Sequence, residues 1–418
     1  MHLNLKLSGV FYGWWIVVAC FLISLSVGGM VIFGFTAFFE PIANEFGWSY
    51  TQISLAASLR GLEVGLLAPL VGLLVDRWGP RRLIFGGTIL LGLGLLLVGR
   101  TTSLGMFYGA FALIAMGISC CIMIVPMTAL ANWFRKKVGT ATGIMACGVG
   151  FGGLLIPVVV RLIDVFGWRT AISILGLATW IIGLPLSLIV RHRPEQYGYL
   201  PDGEQNDTVT LYEGPAPAQA TEVDIGAKEA LKSGAFWHVA LAMTFPFLVV
   251  NAVIIHVMPY LSSIGIARST SSLVATAIPV VSIGGRLGSG WLGDRFDKRR
   301  VATGCFAMIC LGLLFFSYVT SVGAWLLIPF IILFSTGYGG IPTIRAALVR
   351  EYFGRSKIST INGSMMGIMA LGSIGGPVTA GWIFDRWGSY SAAWLVFACI
   401  IFAGLIIIAS TPPVHTKG

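Results

Sequence analysis

GLLVDRWGPRR at residues 72–82 returns, with substitutions, as GWLGDRFDKRR at residues 290–300. A second pair, NWFRKKVGTATG at 132–143 and EYFGRSKISTING at 351–363, repeats in the same order. Both pairs sit between long apolar runs, each at the same run of its half, which is the mark of a duplicated unit. Around these anchors, breaks that are charged, Pro-rich or Gly-rich predict apolar spans over 12–38, 52–75, 83–99, 104–132, 139–163 and 170–190. After a hydrophilic stretch they resume over 236–258, 271–293, 301–319, 323–347, 360–383 and 391–410.

The composition agrees. Of 418 residues, 56% are hydrophobic and 11% charged, against about 25% charged in an average soluble chain. A bilayer core of roughly 30 Å needs about 20 apolar residues per helix, and lipid requires every backbone polar group to be satisfied within the segment. No period-of-two alternation suggests a barrel. The fold expected is therefore an all-α membrane protein of twelve transmembrane helices in two six-helix halves, 1–190 and 234–418. The segment 191–233, with PEQYGYLPDGEQ and PAPAQA, reads as a solvated cytoplasmic linker. The first run is read as a retained helix rather than a signal peptide.

The net charge of +10 does not form a continuous basic patch, so nucleic acid is not the expected partner. Basic residues gather at alternate ends of the spans: Arg77, Arg81, Arg82, Arg135 to Lys137, Arg191, Arg193 and Arg295 to Arg300 on one side, few on the other. By the positive-inside rule both termini are cytoplasmic in a multi-pass protein of the cell (inner) membrane. The seven cysteines lie in apolar runs without metal-ligand spacing, so no metal and no cofactor is expected, and the cysteines read as packing residues.

Gly72, Asp76, Arg77, Gly79, Arg81 and Arg82 supply a G-x-x-x-D-R-x-G-x-R-R pattern, which Gly290, Asp294, Arg295, Arg299 and Arg300 repeat. On these residues the chain resembles the major facilitator superfamily along its whole length. The resemblance implies a transporter cycling by alternating access, with this motif as a cytoplasmic gate. A narrower resemblance is to the monocarboxylate-porter and oxalate/formate branch, carried by YGWW at 12–15, FTAFFEPI at 35–42, HVMPY at 256–260 and GGRLGSGWLGDR at 284–295. It implies Arg286 as the substrate-binding arginine of the eighth helix. Two positions depart from the animal proton-coupled porters: their first-helix Lys is Phe33 here, and the Asp four residues before the arginine is Ser282.

Charges inside spans cost about 2.5–3.5 kcal/mol on insertion scales and therefore face the interior. Four stand out: Arg60, Glu63, Arg286 and Arg345. Arg286 lies roughly 12 Å from the Asp294 end of its helix at 1.5 Å per residue, near the midplane, where secondary transporters hold substrate. Its guanidinium matches a carboxylate, although pairing with a Glu or helix carbonyls is the structural alternative. Glu63 is a candidate proton carrier, or the partner of Arg60 one turn away; a third reading has Arg60 joining Arg286 in binding a dianion. Arg345 either reaches the cavity or snorkels to the interface. Tyr338 and Asn251 are candidate substrate ligands beside packing roles. His256 has a pKa range suited to proton sensing, or is a tether near a helix end. Glycines at 148–153 and 372–376, each ahead of a proline, suit close packing and bending.

These features lead to a secondary active transporter of a small organic anion, a monocarboxylate by the narrower resemblance, with proton coupling as an open route and a monomer as the working unit. An exporter of drugs or other solutes is the alternative within transport. It calls for a net acidic cavity and a G-x-x-x-G-P pattern in the fifth helix, where FGGLLIP has another spacing. A membrane-embedded enzyme or sensor requires clustered catalytic groups or a soluble signalling domain, and the five histidines do not cluster with acids.

Overall fold

A computed structural model describes residues 11–122, 124–135, 137–197, 199–200, 202, 229, 232–353 and 358–411. Among them every regular element is helical. The rods are α1 Tyr12–Phe46, α2 Tyr50–Trp78, α3 Pro80–Gly99, α4 Leu104–Trp133, α5 Val138–Phe166, α6 Trp168–Ile189, α7 Gly234–Ser263, α8 Arg268–Arg295, α9 Lys298–Ser317, α10 Leu327–Phe353, α11 Ile358–Trp387 and α12 Ser391–Ala409. Eleven helices among the described residues are long and apolar enough to cross a membrane. Helix α2, with 29 residues, is a twelfth of crossing length.

Several helices outrun the spans expected from hydropathy. Helix α1 continues through Pro41 to Phe46, and α7 through Pro259 to Ser263. Hydropathy reports only the lipid-length apolar part, whereas the hydrogen-bonded helix runs on into its polar end. Stops are set locally: Gly47, Gly79, Gly167 and Gly388 take positive φ (64°, 79°, 77° and 64°) just past α1, α2, α5 and α11. Starts are capped by Ser103, Ser233 and Asp297, whose side chains accept from Met106, Phe236 and Arg299 backbone N–H. Three helices are irregular inside: α4 is interrupted at Ile122, between Leu104–Cys121 and Ile124–Trp133. A π-helical turn covers Gly28–Phe33 in α1, and a 3-10 turn covers Gly153–Leu155 in α5.

The described residues divide into two compact units. One takes those of Met1–Gly28, Leu67–Gly152 and Ile172–Gly214. In it α3 packs on α4 and α6 through glycines: a Cβ on Gly92 would overlap the Trp180 ring, and one on Gly117 would meet the Gly87 carbonyl and Leu91. The start of the expected linker belongs to this unit and makes several contacts with it, most of its described residues staying exposed. The Arg191 guanidinium lies over the Tyr12 and Tyr197 rings at 4.0 and 4.2 Å. Trp133 Nε1 donates to the Arg191 carbonyl, and Asn132 to that of His192. The Asp202 carboxylate accepts the Arg135 N–H at 2.9 Å. Aromatic faces and open backbone groups at the ends of α1 and α4 give this polar stretch partners that composition does not reveal.

The other unit takes Gly29–Leu66, Gly153–Ala171 and the described part of Pro215–Gly418. Its core is an aromatic stack of Tyr260, Phe316, Phe330, Tyr390 and Trp394, all almost fully buried. Here α8 and α10 approach backbone to backbone: a Cβ on Gly285 would overlap the Thr336 carbonyl, and one on Gly339 that of Ser282. Helices α7 and α11 do the same at Gly376 against Leu248.

Candidate functional site

The α8–α10 seam positions the candidate anion ligands. Arg286 follows Gly285, the residue at which α8 touches α10, and is half-buried with its Nε shielded from solvent. Tyr338 lies half-buried between Gly337 and Gly339, which pack on α9 and α8. Seven residues on, Arg345 turns toward α11. Its Nη1 lies 2.9 Å from Met366 Sδ and 3.3 Å from Met369 Sδ, while its buried Nε has no partner among the described residues. Thioether sulfur is a weak acceptor, so this guanidinium is shielded from water without a strong counter-charge among the described groups.

Asn251 donates from Nδ2 to the Phe247 carbonyl at 2.7 Å, one turn back on its own helix. That bond occupies one of its two donor hydrogens and leaves the amide oxygen open. His256 is fully buried. Its Nε2 meets the Pro377 carbonyl and Ser54 Oγ, both at 2.9 Å, and its Nδ1 meets the Tyr390 hydroxyl at 2.8 Å. A carbonyl only accepts, so Nε2 donates to Pro377. Through these bonds the His256 ring touches α2, α11 and the residue that precedes α12.

The side chains of Arg60, Glu63 and Asp76 lie outside the described residues. Gly72 has open space where a Cβ would stand, whereas one on Gly293 would press on Ile344 Cδ1 at 2.9 Å. Arg77 and Arg81 are exposed, as are Asp294 and Arg295, and the Arg295 guanidinium folds back over the Trp291 ring at 4.0 Å. Arg299 pairs with Asp297 at 2.9 Å and donates to the Thr411 carbonyl at 3.0 Å, so it binds α12 to α9.

A further set of polar side chains was not anticipated from sequence. Asp385, at the end of α11, accepts the backbone N–H groups of Tyr50 and Thr51, each at 2.9 Å, and the Thr51 hydroxyl at 2.5 Å. Arg268 donates to the Ala37 carbonyl at 2.8 Å and pairs with Asp164 at 3.4 Å. The available signal was the recurrence of DRWG at 76–79 and 385–388.

The Major Facilitator Superfamily model matches residues 16–267 and 247–418. This chain belongs to the major facilitator superfamily. It is a transport protein of the membrane and not an enzyme. As a superfamily member it is similar to "Monocarboxylate transporter 12-B" of Danio rerio, 24% identical over 96% of this chain and 87% of that protein. It is also similar to "Monocarboxylate transporter 12" of Rattus norvegicus, 26% identical over 95% of this chain and 85% of the relative. The fold matches the crystal structure of a bacterial homolog of the human lysosomal transporter Spinster, with a TM-score of 0.72 at 16% identity, over 97% of this chain and 96% of that one.

Proposed function

We propose that this superfamily member moves a small organic anion, a monocarboxylate, by alternating access, with Arg286 as the carboxylate anchor and Arg345, Tyr338, Asn251 and Arg60 as further ligands. The observation that carries the reading is Arg345, a largely desolvated cation whose nearest described acceptors are two thioethers. A partly desolvated guanidinium with no counter-charge among the described residues is costly, and a transported carboxylate would supply one. The resemblance of 284–295 to the carboxylate branch, and the printed names of the relatives, support the same solute class.

On this reading the halves 1–190 and 234–418 rock about the site, joined by 191–233, with the Gly72–Arg81 and Gly290–Arg295 motifs as the cytoplasmic gate. Both termini face the cytoplasm of the inner membrane, and one copy suffices. Proton coupling is assigned to Glu63; the saturated ring of His256 favours a tether over a proton carrier.

Uptake of labelled monocarboxylates into proteoliposomes, with and without an inward proton gradient, tests the proposal. Saturable uptake is expected in the wild type, with KM raised roughly 10- to 100-fold in Arg286→Ala, the loss of one charge-assisted hydrogen-bonding group. Glu63→Gln is expected to abolish the gradient dependence. Normal uptake by Arg286→Ala would overturn the assignment of the anchor.

A further inference from the structure

An acid followed two residues later by Phe or Trp and then Gly ends three of the four helices that correspond in a chain built from three-helix repeats: Asp76-Arg77-Trp78-Gly79 in α2, Asp164-Val165-Phe166-Gly167 in α5 and Asp385-Arg386-Trp387-Gly388 in α11. Helix α8 ends with the variant Asp294-Arg295-Phe296-Asp297. Successive crossings reverse direction, so α2 and α8 end on one face of the membrane, and α5 and α11 on the other. A carboxylate in the last turn of a helix opposes the helix dipole. Four such placements therefore call for compensating partners elsewhere.

The structure shows those partners for the α5 and α11 acids. Asp385 receives the N–H groups of Tyr50 and Thr51 at the N-terminus of α2. Asp164 pairs with Arg268, the first residue of α8. The scheme is reciprocal: the acid of the second half holds a first-half helix, and the acid of the first half holds a second-half helix, always at the helix end where negative charge is favoured. Gly381, one turn before Asp385, sets the approach, because a Cβ there would meet Tyr50 and Thr51 backbone atoms at 2.9 Å. Around this pair, Tyr50 packs on Phe384 and Phe39, and Ser54 bonds His256. These contacts all lie in the unit that takes Gly29–Leu66 and Gly153–Ala171 from the first half. The chain enters that unit at the π turn of α1 and the 3-10 turn of α5, irregularities of the kind that mark hinges.

We infer that Asp385 with the α2 N-terminus, and Asp164 with Arg268, form the gate on the face opposite the Asp76 motif, closed in this structure, and that it opens with bending at Gly28–Phe33 and Gly153–Leu155. The inference rests on the alternating-access reading but not on the identity of the solute. It is tested without substrate in a cysteine-free background carrying Ala275→Cys. This reporter is 3% exposed and borders a small hollow lined by Phe33, Thr36, Ile156 and Ile278 from both halves. Intact expressing cells are treated with a membrane-impermeant maleimide. Asp385→Ala and Arg268→Gln are each expected to raise the labelling rate about 3- to 10-fold, partner loss at a solvent-exposed latch. Asp76→Ala, which weakens the inner gate, is expected to lower the raised rate again, a reversal that mere loosening of the fold does not give. Thr51→Val is the milder variant if Asp385→Ala does not fold. A wild-type labelling rate in variants that elute as wild type does in detergent overturns the proposal, as does a raised rate that Asp76→Ala leaves unchanged.

Discussion

Arg345, half-buried, and His256, fully buried, are polar residues with opposite surroundings. Arg345 has sulfur contacts and an orphaned Nε among the described residues, so the empty protein carries its desolvation cost. Arg345→Met removes that cost together with the proposed ligand. The variant is expected to unfold at an equal or higher temperature than the wild type in detergent, yet to take up carboxylate with KM raised about tenfold or more. Thermal unfolding and concentration-dependent uptake, measured on one preparation, check both parts. His256 has a partner for each ring nitrogen. His256→Phe leaves the Tyr390 hydroxyl and the Pro377 carbonyl short of a partner, at about 1–3 kcal/mol for each group left unsatisfied. The expected result is a lower unfolding midpoint with the pH profile of residual uptake unchanged; a profile that flattens would return His256 to the proton pathway. Both residues were legible in the sequence as charged or titratable groups in apolar runs. What surrounds them was not, because Met366, Met369, Tyr390 and Pro377 are brought in by α11 and by the segment that follows it.

At the scale of the helix, the seam between α8 and α10 is where a small change has the largest effect. Gly339→Ala places a methyl group on the Ser282 carbonyl, and neither backbone can yield without moving a whole helix. Overpacking of this kind costs typically 1–3 kcal/mol. Because Arg286 and Tyr338 ride on the two helices, uptake is expected to fall further than stability does, as seen by comparing transport with the unfolding midpoint. Helix α9 offers a test by pH. The Arg299 guanidinium beside Asp297 holds its carboxyl below the usual carboxylate range. A depressed folded-state pKa means that the contribution of the cap is present above the ordinary value of about 3.9 and is lost as pH falls through the depressed one. Asp297→Ala is accordingly expected to lower the unfolding midpoint at neutral pH, by the ~1 kcal/mol typical of a lost cap, and to differ less from wild type in strong acid. The two glycine runs were expected to suit close packing and bending. Both pack closely, Gly148 on Phe21 and Gly153 on Pro279, Gly372 and Gly376 on Thr244 and Leu248 of α7. A 3-10 turn interrupts α5 at Gly153–Leu155, whereas α11 is helical from Ile358 to Trp387.

Across the whole molecule, the membrane class, the helical rods, the duplicated halves and the superfamily all follow from the sequence, because lipid leaves a chain few choices. Apolar runs of crossing length must be helices, basic residues mark one set of ends, and the motif that recurs at 72–82 and 290–300 is a local pattern of side chains. The same local logic singled out Arg286 and Arg345, since a charge inside an apolar run is costly in lipid. Only the tertiary structure decided which charge meets which. Asp385 and the α2 N-terminus are more than three hundred residues apart in sequence, and Asp164 lies about a hundred from Arg268. The aromatic docking of Arg191 and the sulfur contacts of Arg345 depend equally on neighbours brought by other helices. A carboxylate at a helix end has the same sequence signature whether it faces water or a partner helix. Its energy differs because the N–H groups or guanidinium that receive it are delivered by the fold.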